Sequence, residues 1–136
     1  MSKILVVDDE PSICWGLSRL AEGLGHQVEV ASSAEQGLTL AAEFRPELIV
    51  LDVRLPGVDG LSAMKLFRRV NEQTPIIVMT AFGDLKTAVT AVEQGAFEYI
   101  LKPFDLHEIR TAIERALRRT PLARRLSLPS SDRRKP

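Results

Sequence analysis

Five short apolar runs punctuate the chain: Ile4 to Val7, Val28 to Ala31, Leu48 to Leu51, Ile76 to Met79 and Phe97 to Leu101. Their near-continuous apolarity suits strands buried on both faces of a sheet. Between the runs the apolar period changes. Ile13, Leu17, Leu20, Ala21 and Leu24 recur at three-to-four spacing, as do Leu61, Met64, Leu66 and Phe67. Such spacing gathers them on one face of an amphipathic helix. Turn chemistry agrees with the period. Pro11 stands where a first helical turn tolerates proline, and Gly25 is placed to stop the first helix. Ser32 with Glu35 offers a capping box, Asp84 and Asp105 are positioned to cap the fourth and fifth helices, and Gly95 to end the fourth. The order is strand then helix, five times over. With right-handed crossovers it predicts a doubly wound α/β sandwich whose ligand site lies beyond the C-terminal ends of the strands.

At 136 residues and 15.1 kDa, the chain fits one ordinary domain. No stretch approaches the roughly 20 uncharged apolar residues of a membrane span, so the expected location is the cytoplasm and no membrane partner is expected. The lone Cys14 excludes an internal disulfide and reads as a small core filler. Charge is uneven: residues 1 to 109 hold 9 Lys/Arg against 16 Asp/Glu, whereas residues 110 to 136 hold 9 against 2. The basic end admits a nucleic-acid arm as one reading. Arg110, Arg115, Arg118 and Arg119 equally suit the exposed face and last turn of a final helix, where positive charge complements the helix dipole. Residues 120–136, with Pro121, Pro129, Ser130, Ser131 and Pro136, have the composition of a linker or disordered basic tail after a domain spanning 1–119. Direct nucleic-acid binding by that domain is not expected.

Four of the five predicted strands finish with a chemically capable residue: Asp8-Asp9-Glu10, Asp52, Thr80 and Lys102. The fold would deliver them to one sheet edge from positions far apart in sequence. Alone, Asp52 is as compatible with a turn or cap as with chemistry. The Asp8-Asp9 pair changes its meaning, because crowded carboxylates are tolerated where a cation neutralises them. An all-oxygen site with few protein ligands suits Mg²⁺. Beside such an ion the Asp52 carboxylate would be free to attack phosphorus. Lys102 ends a buried strand and precedes Pro103, a rigid turn with a candidate cis peptide that would aim the amine inward to pair with phosphate. The Thr80 hydroxyl either terminates its strand or turns to bind a new phosphoryl oxygen, with small Ala81 leaving the approach open. Gly57 and Gly60 read as backbone devices of the loop after Asp52.

The segments Ile4-Leu5-Val6-Val7-Asp8-Asp9-Glu10, Leu51-Asp52-Val53-Arg54-Leu55-Pro56-Gly57, Met79-Thr80-Ala81 and Leu101-Lys102-Pro103-Phe104 resemble, in order, the four signatures of response-regulator receiver domains of two-component signalling. The resemblance implies a flavodoxin-like sheet of order 2-1-3-4-5 with five helices. It also implies that Asp52 takes a phosphoryl group from a partner histidine kinase, that Asp8, Asp9 and Asp52 hold Mg²⁺, and that the Arg54 backbone carbonyl completes the protein's metal ligands. Tyr99, three residues before Lys102, stands where this family carries its switch aromatic. The implied mechanism draws Thr80 inward and lets Tyr99 turn into the vacated space. The surface of the fourth helix, fifth strand and fifth helix then changes as a population shift. Such a domain is a signalling switch that catalyses only its own phosphorylation and dephosphorylation.

Rival chemistries fit less well. Haloacid-dehalogenase-like phosphotransferases place a second acid two residues after the nucleophile, where this chain has Arg54. Nucleotide hydrolases need a G-x-x-x-x-G-K-[ST] loop, which is absent. His26, in a turn, and His107, in the first turn of the last helix, lack ligand-spaced neighbours and read as surface residues. Trp15, close in sequence to the acid pair, is a candidate fluorescent reporter of metal or phosphate binding. The stretches Thr80 to Leu85 with Ala88-Val89, and Gly95 to Tyr99 running into Lys102 to Asp105, look most like receivers of the nitrogen-regulatory class of sigma-54-dependent activators. The expected output is therefore sigma-54-dependent transcription activation by a following domain. A helix-turn-helix regulator of the nitrogen-fixation type and a stand-alone receiver are the alternatives. The family suggests homodimerisation through the fourth and fifth helices.

Overall fold

A computed structural model of the chain describes residues 1–81 and 84–118. The elements in chain order are β1 (Lys3–Val7), α1 (Pro11–Gly23), β2 (Gln27–Ala31), α2 (Ala34–Phe44), β3 (Leu48–Asp52), β4 (Arg54–Leu55), β5 (Val58–Asp59), α3 (Gly60–Val70), β6 (Ile76–Ala81), α4 (Leu85–Glu93), β7 (Glu98–Lys102) and α5 (Leu106–Leu117). Five strands form one parallel sheet in the order β2-β1-β3-β6-β7. Counting sheet strands alone, this is the predicted 2-1-3-4-5, and β7 is the expected fifth strand. The linker or disordered basic tail expected at 120–136 lies outside the described residues. No helix among the described residues is long and apolar enough to cross a membrane.

The period-2 geometry of strands splits the apolar runs between two cores. Leu5, Val7, Ile49, Leu51, Ile76 and Val78 face α2, α3 and α4, where Phe67 and Met64 of α3 fill the space. Ile4, Val6, Leu48, Val50, Ile77 and Met79 face α1 and α5, against Leu17, Ile109 and Ile113. The central strands are buried on both faces as their apolarity predicts, but β2 is not. It is an edge strand; Val30 is exposed, and only its last residue, Ala31, is fully buried.

Local signals hold with two shifts. Pro11 opens α1, and Asp105 caps α5, accepting from the Glu108 amide at 2.7 Å. The cap of α2 is Ser33 rather than Ser32. Its hydroxyl accepts from the Gln36 amide at 3.1 Å, and the Gln36 side chain reaches back to the Ser32 amide at 2.8 Å. The box moves one residue because Ala34 is the first helical position and is buried in the core. Asp84 occupies the N-cap position of α4, yet its side chain caps nothing.

One element escaped prediction. After Asp52 the chain forms a two-stranded antiparallel ribbon, Arg54 opposite Asp59 and Leu55 opposite Val58, turning at Pro56-Gly57. Gly57 has φ +79°, which a side chain would resist. Gly60 serves close approach instead: a Cβ there would lie 2.5 Å from the Val53 Cα. The ribbon is thereby folded back onto the residue that follows Asp52.

Candidate functional site

Three parallel strands of the sheet, the adjacent β1 and β3 and, beyond β6, β7, each deliver one polar group to the same spot. Asp8 follows β1, Asp52 ends β3, and Lys102 ends β7. Both aspartates are nearly inaccessible, at 1% and 4% exposure. The Lys102 Nζ donates to Asp8 Oδ2 at 2.8 Å, to Asp52 Oδ2 at 3.0 Å and to Glu10 Oε1 at 2.8 Å. The second oxygen of each aspartate is held by main chain: Asp8 Oδ1 accepts from the Glu10 amide at 2.8 Å and Asp52 Oδ1 from the Arg54 amide at 2.9 Å. The carboxylates are thus oriented on one side by backbone and on the other by a shared ammonium. The peptide bond between Lys102 and Pro103 is cis, as expected.

Electrostatics match this crowding. Burial pushes the Asp8 carboxyl above the ordinary aspartate value; hydrogen bonds from Lys102 and the Glu10 amide oppose the rise, and the Asp52 charge adds to it. Burial alone would lower the Lys102 value, but its bonds to Asp8, Glu10 and Asp52 outweigh that and hold the ammonium well above the ordinary lysine range. Lys102 is charged at any physiological pH.

Oxygens of Asp8, Glu10 and Asp52 lie within 4.8 Å of one another. Three carboxylates against one ammonium leave two negative charges uncompensated, and the donors are all hard oxygens. That set fits a small divalent cation such as Mg²⁺, for which the Lys102 ammonium is a partial stand-in. Asp9 is exposed and lines the same cleft, together with Glu10, Asp52, Arg54, Ala81, Asp84 and Lys102. Glu10, named with Asp8 and Asp9 at the end of the first predicted strand but outside the implied metal ligands, joins the cluster through Lys102.

Thr80 lies near the end of β6 and is wholly buried. Its hydroxyl contacts two carbonyls, Ala81 O at 3.3 Å and Asp84 O at 3.2 Å. The neighbouring Ala81 is exposed, so the approach over it is open. Tyr99 sits opposite Val78 in the β6–β7 pairing, half-buried against the core that includes α3 and α4. Thr80 and Tyr99 thus lie on adjacent strands and on the same face of the sheet.

The Arg54 side chain does something the sequence did not suggest. Its guanidinium grips the Asp84 carboxylate with two 2.6 Å bonds, Nε to Oδ2 and Nη2 to Oδ1. This bond holds the Asp84 carboxyl below the ordinary range. Cys14, expected as a core filler, is half-buried and its thiol donates to the Asp8 carbonyl at 3.2 Å. Trp15 is 66% exposed and stacks over Arg19 rather than on the acid cluster, although it borders a groove with Asp8 and Asp9. His26 accepts from the Ser2 amide, and Arg115 pairs with Glu98 on the α5–β7 surface.

Comparison with known proteins returns a consistent set. The profile described as "Response regulator receiver domain" matches residues 4–114. The regulatory protein AtoC of Escherichia coli (strain K12) is 38% identical over 117 residues, which cover 86% of this chain and 25% of that protein. The DNA-binding transcriptional regulator NtrC of Salmonella typhimurium is 40% identical over 114 residues, 84% of this chain and 24% of its own. The chain therefore spans about a quarter of the length of these curated relatives. Among solved structures, a response regulator receiver domain protein from Clostridium thermocellum has a TM-score of 0.84 at 32% identity, covering 90% of this chain and 99% of that one. NtrX from Brucella abortus, in complex with ADP, has a TM-score of 0.85 at 32% identity, covering 93% of this chain and 29% of its own.

Proposed function

The chain belongs to the response-regulator receiver domain family, and from that premise we propose that it is a phosphoryl-accepting switch in which Asp52 takes the phosphoryl group from a partner histidine kinase. The observation that carries this is the convergence on Lys102: one ammonium at the end of β7 within 3.0 Å of Asp8 and Glu10, which follow β1, and of Asp52, which ends β3. Asp52 Oδ1 is tied to the Arg54 amide and Oδ2 to the Lys102 ammonium, and since the long lysine side chain gives way more readily than main chain, Oδ2 is the nucleophile. That oxygen attacks the phosphorus of a phosphohistidine in line with the departing ring nitrogen. The O–P bond forms as the N–P bond breaks, the imidazole keeps the bonding pair and takes a proton from water, and Asp52 becomes an acyl phosphate. Lys102 then exchanges its carboxylate contact for the phosphoryl oxygens.

Asp8, Asp9, Asp52 and the Arg54 backbone carbonyl, with Glu10 beside them, would hold Mg²⁺, which would neutralise the crowded carboxylates and the incoming phosphoryl charge. Thr80 reads the product by leaving the carbonyls of Ala81 and Asp84 for a phosphoryl oxygen, and Tyr99 turns into the space released. The surface that changes is α4, β7 and α5. Leu85, Val89 and Val92 are exposed along α4 and support an interaction face there, used for homodimerisation or for contact with an output domain. Likeness to NtrC and AtoC supports a cytoplasmic activator of sigma-54-dependent transcription as the whole protein. The test is incubation with acetyl phosphate and Mg²⁺ followed by intact mass. Wild type gains one phosphate and Asp52→Asn gains none; a gain that survives the substitution refutes the assignment.

A further inference from the structure

Arg54 touches the site twice. Its backbone amide holds Asp52 Oδ1 at 2.9 Å, while its guanidinium holds Asp84, 30 residues away, with two bonds of 2.6 Å. Asp84 is the residue from which α4 starts, and its own backbone carbonyl accepts the Thr80 hydroxyl. Its carboxylate is largely covered, at 13% exposure, whereas the Arg54 side chain is 74% exposed. Arg54 and Asp84 both line the cleft that contains Asp52 and Lys102, and both also line the adjoining cleft bounded by Val53, Pro56, Leu61 and Thr87. The ion pair is therefore a wall between the two clefts, fastened at one end to the Asp52 loop and at the other to the start of α4.

We propose that the Arg54 guanidinium has two seats, on Asp84 in the resting chain and on the phosphoryl group at Asp52 after phosphorylation, so that Arg54 is the positioning residue through which the site releases the start of α4. This rests on Asp52 being the phosphoacceptor and adds to it the link to α4. A phosphoryl group carries more charge than a carboxylate and offers three strong acceptor oxygens, which a planar guanidinium engages two at a time. An exposed arginine loses little packing when it changes partner, so the exchange is decided by the two anions. Among the described residues, Thr80 and Arg54 tie Asp84 to the site, Thr80 by one bond to its carbonyl and Arg54 by two to its carboxylate. Phosphorylation takes both at once.

Asp84 in the resting chain thus competes with the phosphoryl group for Arg54, and its charge weakens binding of a phosphoryl mimic. The test is titration of wild type, Asp84→Asn, Arg54→Gln and the double variant with beryllofluoride in Mg²⁺, followed by amide chemical shifts. Asp84→Asn binds about two- to fivefold tighter, the range a partly exposed ion pair supplies, and the gain shrinks as salt rises. Its amides from Leu85 to Ala88 move, before any mimic is added, toward the positions they take in mimic-bound wild type. Arg54→Gln binds more weakly, and adding Asp84→Asn to it changes nothing further. Equal affinity of Asp84→Asn and wild type overturns the proposal. So does an equal gain with and without Arg54, since Asp84 would then act by repelling the mimic directly. A wild type that binds no beryllofluoride refutes the Asp52 assignment itself and this proposal with it.

Discussion

Replacing Lys102 by Met removes the one cation from a buried acid cluster while keeping most of the side-chain volume. What remains is Asp8 at 1% exposure and Asp52 at 4%, each stripped of its charge partner, beside a more exposed Glu10. Removing one member of a buried ion pair costs roughly 3–5 kcal/mol, because the charge left behind stays buried. Lys102 is itself 15% exposed and Glu10 more so, which admits water and lowers the figure to about 2–4 kcal/mol. For a domain of this size that corresponds to a fall of about 10 °C in Tm.

The pH dependence has a definite sign. Burial raises the Asp8 pKa in the folded chain, so the folded state binds that proton more tightly than the unfolded one. Stability from Asp8 is therefore present below the unfolded aspartate pKa and is lost as pH rises through the folded value. Without Lys102 the hydrogen bond from the Glu10 amide is left to oppose the rise. The gap between Lys102→Met and wild type is widest near neutrality and narrows in acid. The proposed metal site exists in the folded chain alone, and without the competing ammonium it would hold Mg²⁺ more tightly in the variant, so Mg²⁺ should raise the Tm of the variant by more than that of wild type. Thermal unfolding by circular dichroism, in chelator and in Mg²⁺ at several pH values, measures all three. A metal-free Tm unchanged or raised by Lys102→Met, or a smaller Mg²⁺ shift in the variant, refutes the charge balance argued for the cluster.

Thr80→Ala keeps Asp52 and Lys102 and so is phosphorylated, but the phosphate-induced shifts around Tyr99 shrink; shifts as large as in wild type contradict the role given to the hydroxyl. Gly60→Ala drives a Cβ to 2.5 Å from the Val53 Cα and 2.6 Å from its carbonyl, both backbone atoms. Chemical denaturation should show a loss of about 2–3 kcal/mol, and a midpoint equal to wild type would contradict the packing. Sedimentation with and without beryllofluoride checks the α4–β7–α5 surface: the mimic promotes a dimer, and an unchanged monomer contradicts homodimerisation there.

The sheet and its chemical edge were legible because the signals were local and repeated. Strand runs such as Leu48 to Leu51 are short and apolar, so their ends are sharply marked, and those ends carry Asp8, Asp52, Thr80 and Lys102. What sequence could not decide was which acid beyond Asp8 meets Lys102. The chain leaves β1 at that point, the period of two stops, and the turn set by the Glu10 amide on Asp8 brings Glu10 rather than Asp9 to the ammonium. Asp84 had the composition and place of a cap, but a guanidinium 30 residues upstream claims its carboxylate. Pairings of that range leave no trace in a local pattern. The ribbon of Arg54–Leu55 with Val58–Asp59 has two residues a side, too few for alternation to register. The edge strand β2 carried a sign of its exposure in the alternation Gln27-Val28-Glu29-Val30, which grouping Val28 to Ala31 as an apolar run passes over.

The central claim concerns one carboxylate among several that crowd together. Borohydride reduction of the phosphorylated chain converts an aspartyl phosphate to homoserine, and tandem mass spectrometry of the peptides locates it. Homoserine at position 52 alone is the predicted result. Homoserine at Asp8 or Asp9, or at no position in a chain that has gained the phosphate mass, contradicts Asp52 as the acceptor.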